Sequence, residues 1–212
     1  MRADRRLWPL RWSARQVLGA ACLGLLLLEA AVILLSWILS AVGVEGVRSL
    51  LSSEGLRWFF GDFTALLASP ALVWLLLSLV ALGAFQRSGL PALLRAGVLH
   101  IPSYRDRMAL RVALVFLILY VGLILLLTVF PHAILLSVTG ALWPSPFSRS
   151  IVAFVAFGVA MVSIAYGTMS GRMLSLADIL DALAFGVSRC APLFVVYIFL
   201  MQLLQSVRFV FA

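Results

Sequence analysis

Five long apolar runs constrain this chain more than any other feature: residues 17–42, 70–85, 108–130, 150–166 and 191–207. Crossing the hydrocarbon core takes about 20 apolar residues in a helix, and lipid offers no partner to an unpaired backbone N–H or C=O. Helix is therefore the expected state of all five runs, which are too long for barrel strands. With 64% hydrophobic residues, 11% charged residues and a mean hydropathy of +1.15, the 212-residue chain has no room for a large soluble domain. We expect an all-α integral membrane bundle, a single membrane domain over 1–212.

The boundaries of the runs carry their own signals. Gly43, Glu45 and Gly46 close the first. Ser69 is placed to cap the second, with Pro70 in its first turn, and Pro131 halts the third. The turn-rich WPSPFS precedes the fourth. Two further segments are helical in pattern but too charged to span. In 47–64, Val47, Leu50, Leu51 and Trp58 share a face, and Ser52 can cap a turn that has Glu54 near its positive end. In 175–188, Ser175 and Asp178 form a capping box before an apolar face of Leu176, Ile179, Leu180, Leu183 and Val187. Both are expected to lie in the membrane interface, the second on the cytoplasmic surface.

All 16 basic residues are arginine, giving a formal charge of +8. They gather at the ends of apolar runs instead of forming one stripe, which argues for orientation signals and against nucleic-acid binding. Arg2, Arg5, Arg6, Arg11 and Arg15 precede the first run; Arg87, Arg95, Arg105, Arg107 and Arg111 crowd the connection before the third. The positive-inside rule makes both cytoplasmic, so the basic segment 1–16 is an uncleaved cytoplasmic N-terminus and an odd number of spans puts the C-terminus outside. The expected setting is the bacterial inner (cytoplasmic) membrane.

Residues that could carry chemistry are few. Glu29 stands in the middle of the first run, where an ionisable group is either a coupling site or an interhelical hydrogen-bonding group. Gln202 and Gln205, with Tyr197, place a polar strip on the fifth run, suited to the same two roles. Trp58, Phe59, Phe60 and Phe63 form either an aromatic belt or a partner contact. Asp178 and Asp181 are better explained by the helix dipole than as a cation site. His100, His132, Cys22 and Cys190 lack companions at metal-ligand or disulfide spacing, and no G-x-S-x-G element occurs. No catalytic, metal or cofactor site is expected, and the chain is not expected to be an enzyme.

Two stretches carry a family resemblance. The run VRSLLSSEGLRWFFGDFTALLASPALVWLLLSLVALGAFQRSGL and the run SPFSRSIVAFVAFGVAMVSIAYGTMSGRMLSLADILDALAFGVSRCAPLFVVYIFLMQLL resemble the AbgT family of p-aminobenzoyl-glutamate transporters. The resemblance implies solute transport of p-aminobenzoyl-glutamate or related folate-pathway compounds, and a homodimer or a partner membrane protein alongside the lipid bilayer. Gln202 corresponds to a glutamine in the family's matching span, while Gln86 stands where the family has glutamate before RSGL. The matching parts are those the family uses as scaffold and dimer interface. The substrate-holding hairpins are not matched, so the expectation is a shortened form, with a non-transporting scaffold or subunit as the alternative.

Overall fold

The structure, a computed structural model, describes residues 14–96, 103–129 and 146–211. Nine helices and no strand occur among them. Five helices are long and apolar enough to cross a membrane, and their ends fall within four residues of those of the five predicted runs. The chain is an all-α, multi-pass membrane protein. Pro131, His100 and His132 lie outside the described residues, as does most of the basic segment 1–16. Contacts cluster into two compact units: Met1–Ser69 with Ala191–Ala212, and Pro70–Cys190.

The first unit pairs α1 (Ala14–Ala41) with α9 (Ala191–Phe211). On α1 the shielded positions include Leu18, Cys22, Leu25, Glu29, Val32, Ser36 and Leu39, alternating three and four residues apart, whereas most residues between them are exposed. That is the 3.5-residue repeat of a two-helix seam. The helices run parallel: Arg15 and Cys22 share a cavity with Ala191 and Val195, while Glu29 meets Ser206 towards the other end. Parallel direction is what the first and fifth of five alternating crossings must have. Gly43, at φ 79°, ends α1 in a Schellman motif, with Val44 N–H donating to Leu39 C=O and Gly43 N–H to Ser40 C=O.

Between α1 and the second unit the chain forms α2 (Ser53–Gly61) and α3 (Phe63–Leu67). The helix expected over 47–64 thus opens six residues late and breaks at Asp62. The reason lies in the backbone donors: Arg48 N–H bonds Val210 C=O at 3.0 Å and Leu50 N–H bonds the Ser36 hydroxyl at 3.2 Å, so these groups are spent on tertiary partners. Ser52 then caps α2 as expected, accepting from Gly55 N–H at 3.0 Å. The Ser69 hydroxyl, expected as a cap, lies 2.7 Å from that of Tyr197, which also donates to Leu67 C=O.

In the second unit, α7 (Pro146–Met169) packs against both α4 (Pro70–Ser88) and α6 (Tyr104–Val129), with short α5 (Leu90–Ala96) alongside. Leu90, Leu93, Ala109, Ala113 and Tyr166 form its core. Gly158 leaves room for the Tyr120 ring, whose hydroxyl donates to Phe154 C=O at 2.8 Å. The amphipathic α8 (Leu176–Arg189) begins with the predicted capping box. It packs antiparallel against the second half of α4: Asp178 and Ala182 share a cavity with Gln86 and Arg87, and Gly186 abuts Leu79 and Gly83. The contact face is therefore the small pair Ala182 and Gly186, which lets two backbones approach closely. Leu176 and Leu180, part of the predicted apolar face, are exposed.

Candidate functional site

The first unit holds most of the candidate residues, and it distributes them over two places. The first is the α1–α9 seam. Glu29 faces α9 because it falls on the seven-residue repeat of α1; there the Ser206 hydroxyl donates to its Oε1 at 2.6 Å. Its Oε2 is buried and has no hydrogen-bond partner among the described residues. One turn before Ser206, Gln202 is 6% exposed, and neither its carboxamide oxygen nor its nitrogen has a partner among the described residues. An unpaired polar group in a seam of this kind is costly, so these atoms mark where a further donor or acceptor can be accommodated.

The second place is a cavity of about 650 Å³ lined by Arg48, Glu54, Arg57, Asp62, Gln205 and Arg208, with the Trp58 and Phe209 rings in its wall. These two rings stack with centroids 4.5 Å apart and planes 20° from parallel. Gln205 thus belongs with the arginines and not with Gln202, and Tyr197 turns to α3, so the expected polar strip on α9 divides three ways. Phe59 and Phe60 meet edge to face at 5.3 Å; Phe60 is 75% exposed and Phe63 is also exposed. Of the four aromatics, only Trp58 lines the cavity.

The second unit contains a polar cluster that no sequence pattern announces. Tyr166 is fully buried, and its hydroxyl donates to Asp106 Oδ1 at 3.1 Å. Arg172 approaches the same carboxylate at 3.8 Å, donates to Ser88 C=O at 3.1 Å and stands over the Tyr166 ring at 5.7 Å. The Ser103 hydroxyl donates to Asp106 Oδ2 at 2.9 Å and accepts from Asp106 N–H at 3.1 Å, so Ser103 caps α6. The cluster ties the turn after α4 to the ends of α6 and α7. The only early hint is an aspartate among five arginines. Asp178, weighed above as a cation ligand, instead accepts from Leu174 N–H and Ser175 N–H at 2.9 Å.

With this geometry described, the chain can be set beside known proteins. Residues 100–209, just over half of the chain, match the AbgT transporter family. The chain belongs to this family. The matched stretch contains the second of the two resembling runs, with α6, α7, α8 and nearly all of α9, and includes Gln202, Gln205 and Ser206. No curated protein and no solved structure matches the chain.

Proposed function

We propose that the AbgT chain serves solute transport across the bacterial inner membrane, with p-aminobenzoyl-glutamate or a related folate-pathway compound as the substrate class. In this reading its helices form the stationary frame of the carrier. The observation that carries the transport reading is the family match over residues 100–209. The frame reading draws support from the helices themselves. Substrate-gripping spans are typically broken at mid-membrane, whereas α1, α4, α6, α7 and α9 each run unbroken through their described lengths. Glu29 and Gln202 serve, in this reading, as interhelical polar groups. The N-terminus is cytoplasmic and the C-terminus external, an orientation consistent with the arginines before α1 and with the parallel α1–α9 pair.

The same unbroken helices favour a second reading, a non-transporting scaffold or subunit that self-associates or is completed by another membrane protein. Purified protein in liposomes separates the two. Uptake of p-aminobenzoyl-glutamate driven by a proton or sodium gradient supports an autonomous carrier. A well-folded sample that shows no flux, together with a partner co-purifying from native membranes, supports the subunit.

A further inference from the structure

We propose that the arginine-lined cavity beside Trp58 holds the phosphodiester of an anionic membrane phospholipid. The inference concerns the first unit alone and does not depend on what the protein transports. Three arginines line the cavity from three separate elements: Arg48 from the loop after α1, Arg57 from α2 and Arg208 from the last turn of α9. Glu54 and Asp62 also line it. Among the described residues none of these five groups is joined to another by an ion pair, so the arginines remain available to a ligand. With more arginines than carboxylates in its lining, the site attracts an anion.

The lining selects the anion. Three arginines against two carboxylates leave one surplus positive charge. A phosphodiester, with its single negative charge, matches that surplus. A phosphomonoester carries about −1.5 to −2 at neutral pH, and its second charge would face Glu54 and Asp62. Guanidinium presents a planar fork suited to phosphate oxygens. A volume of about 650 Å³ is ample for a headgroup.

Position identifies the source as lipid. Arg48 N–H is bonded to Val210 C=O, so the cavity sits where α1 and α9 finish their apolar lengths, the place at which a pair of spanning helices meets lipid headgroups. Beside it, α2 presents Leu56 at 46% and Phe60 at 75% exposure, an apolar edge against which acyl chains can lie. A free anion would gain nothing from that edge.

The test is native mass spectrometry of the full chain released from micelles containing phosphatidylglycerol or phosphatidylcholine. We expect one phosphatidylglycerol per chain to be retained about fivefold more than phosphatidylcholine, the scale of one basic residue acting on an anionic lipid. Arg57→Gln should abolish that preference, and Arg208→Gln, altering a different element, should do the same with helix content unchanged by circular dichroism. Arg95→Gln, an exposed arginine on α5, should leave the preference intact. Equal retention of the two lipids would overturn the proposal, as would an equal loss in Arg95→Gln. Displacement by glycerol 3-phosphate would show that the site reads a free phosphate, and displacement by p-aminobenzoyl-glutamate that it reads a solute; either result overturns the lipid assignment.

Discussion

Ser206 and Glu29, 177 residues apart in sequence, meet across the α1–α9 seam in a 2.6 Å hydrogen bond. The contact joins two helices whose outer faces are mostly apolar and exposed. Between helices in a membrane such bonds contribute about 0.6 kcal/mol on average and up to about 1.7. Ser206→Ala is therefore expected to destabilise the protein by about that range in detergent-unfolding titrations. Glu29→Gln keeps an oxygen that accepts the Ser206 proton and should cost less. If Glu29→Gln also leaves flux unchanged, the residue has no part in ion coupling.

Close approach of α4 and α8 yields a sharper contrast. A methyl group on Gly186 would meet Leu79 C=O and the Gly83 backbone, which have no side-chain freedom to yield. Gly186→Ala should therefore destabilise the protein by about 1–3 kcal/mol, as overpacking does. Gly122 on α6 has nothing within 4 Å of its Cβ direction, so Gly122→Ala should leave the thermal midpoint unchanged or raise it. Equal effects from the two substitutions would show that α8 does not pack against α4 in this way.

Tyr166 tests the cluster around Asp106. Tyr166→Phe removes the donor to Asp106 Oδ1 while preserving the buried ring and its contact with Arg172, and should cost about 1 kcal/mol. The Arg172–Asp106 ion pair adds little, because the Arg172 side chain is 41% exposed and their separation is 3.8 Å. Arg172→Lys should thus act mainly through the lost bond to Ser88 C=O. A double-mutant cycle between positions 166 and 172, read by thermal unfolding, measures how far the two effects are coupled.

Asp178 gives stability an acid-side dependence. The Ser175 N–H, the Leu174 N–H and the Ser175 hydroxyl interact with its carboxyl and hold it below the usual carboxylate range. Such a group stabilises the fold at pH above its unfolded value, and the contribution disappears as pH falls through the lower folded value. Asp178→Asn should lower the thermal midpoint at neutral pH, and its difference from the parent should shrink on acidification through the carboxylate range. A difference that stays constant with pH would remove Asp178 from the cap.

How much of this was legible in the sequence depends on the range of the interaction. The spans, the Ser52 and Ser175 caps and the stop at Gly43 all arise from neighbours within a few residues, so pattern and propensity find them. The bond from Glu29 to Ser206 depends on which helix packs against which, and nothing local to Ser206 marks it. A 3.5-residue reading of α1 would have placed Glu29 and Ser36 on one line and pointed to a seam. The late start of α2 was hidden for the same reason: Arg48 and Leu50 give their N–H groups to Val210 and Ser36, far off in sequence. On α8 the pattern shows an apolar face, but the contact with α4 is made by Ala182 and Gly186, small residues that no hydrophobic pattern singles out. The arginine cavity draws on residues from 48 to 208, and only its assembled shape reveals it.

The pairing of α1 with α9 also orders events during synthesis. α1 enters the bilayer more than a hundred residues before its partner exists, so Glu29 must wait among lipid tails with its carboxyl unmatched. α1 thus precedes in synthesis the helix that supplies its polar partner, and a chain stopped before Ala191 would lack the hydroxyl that Glu29 accepts from.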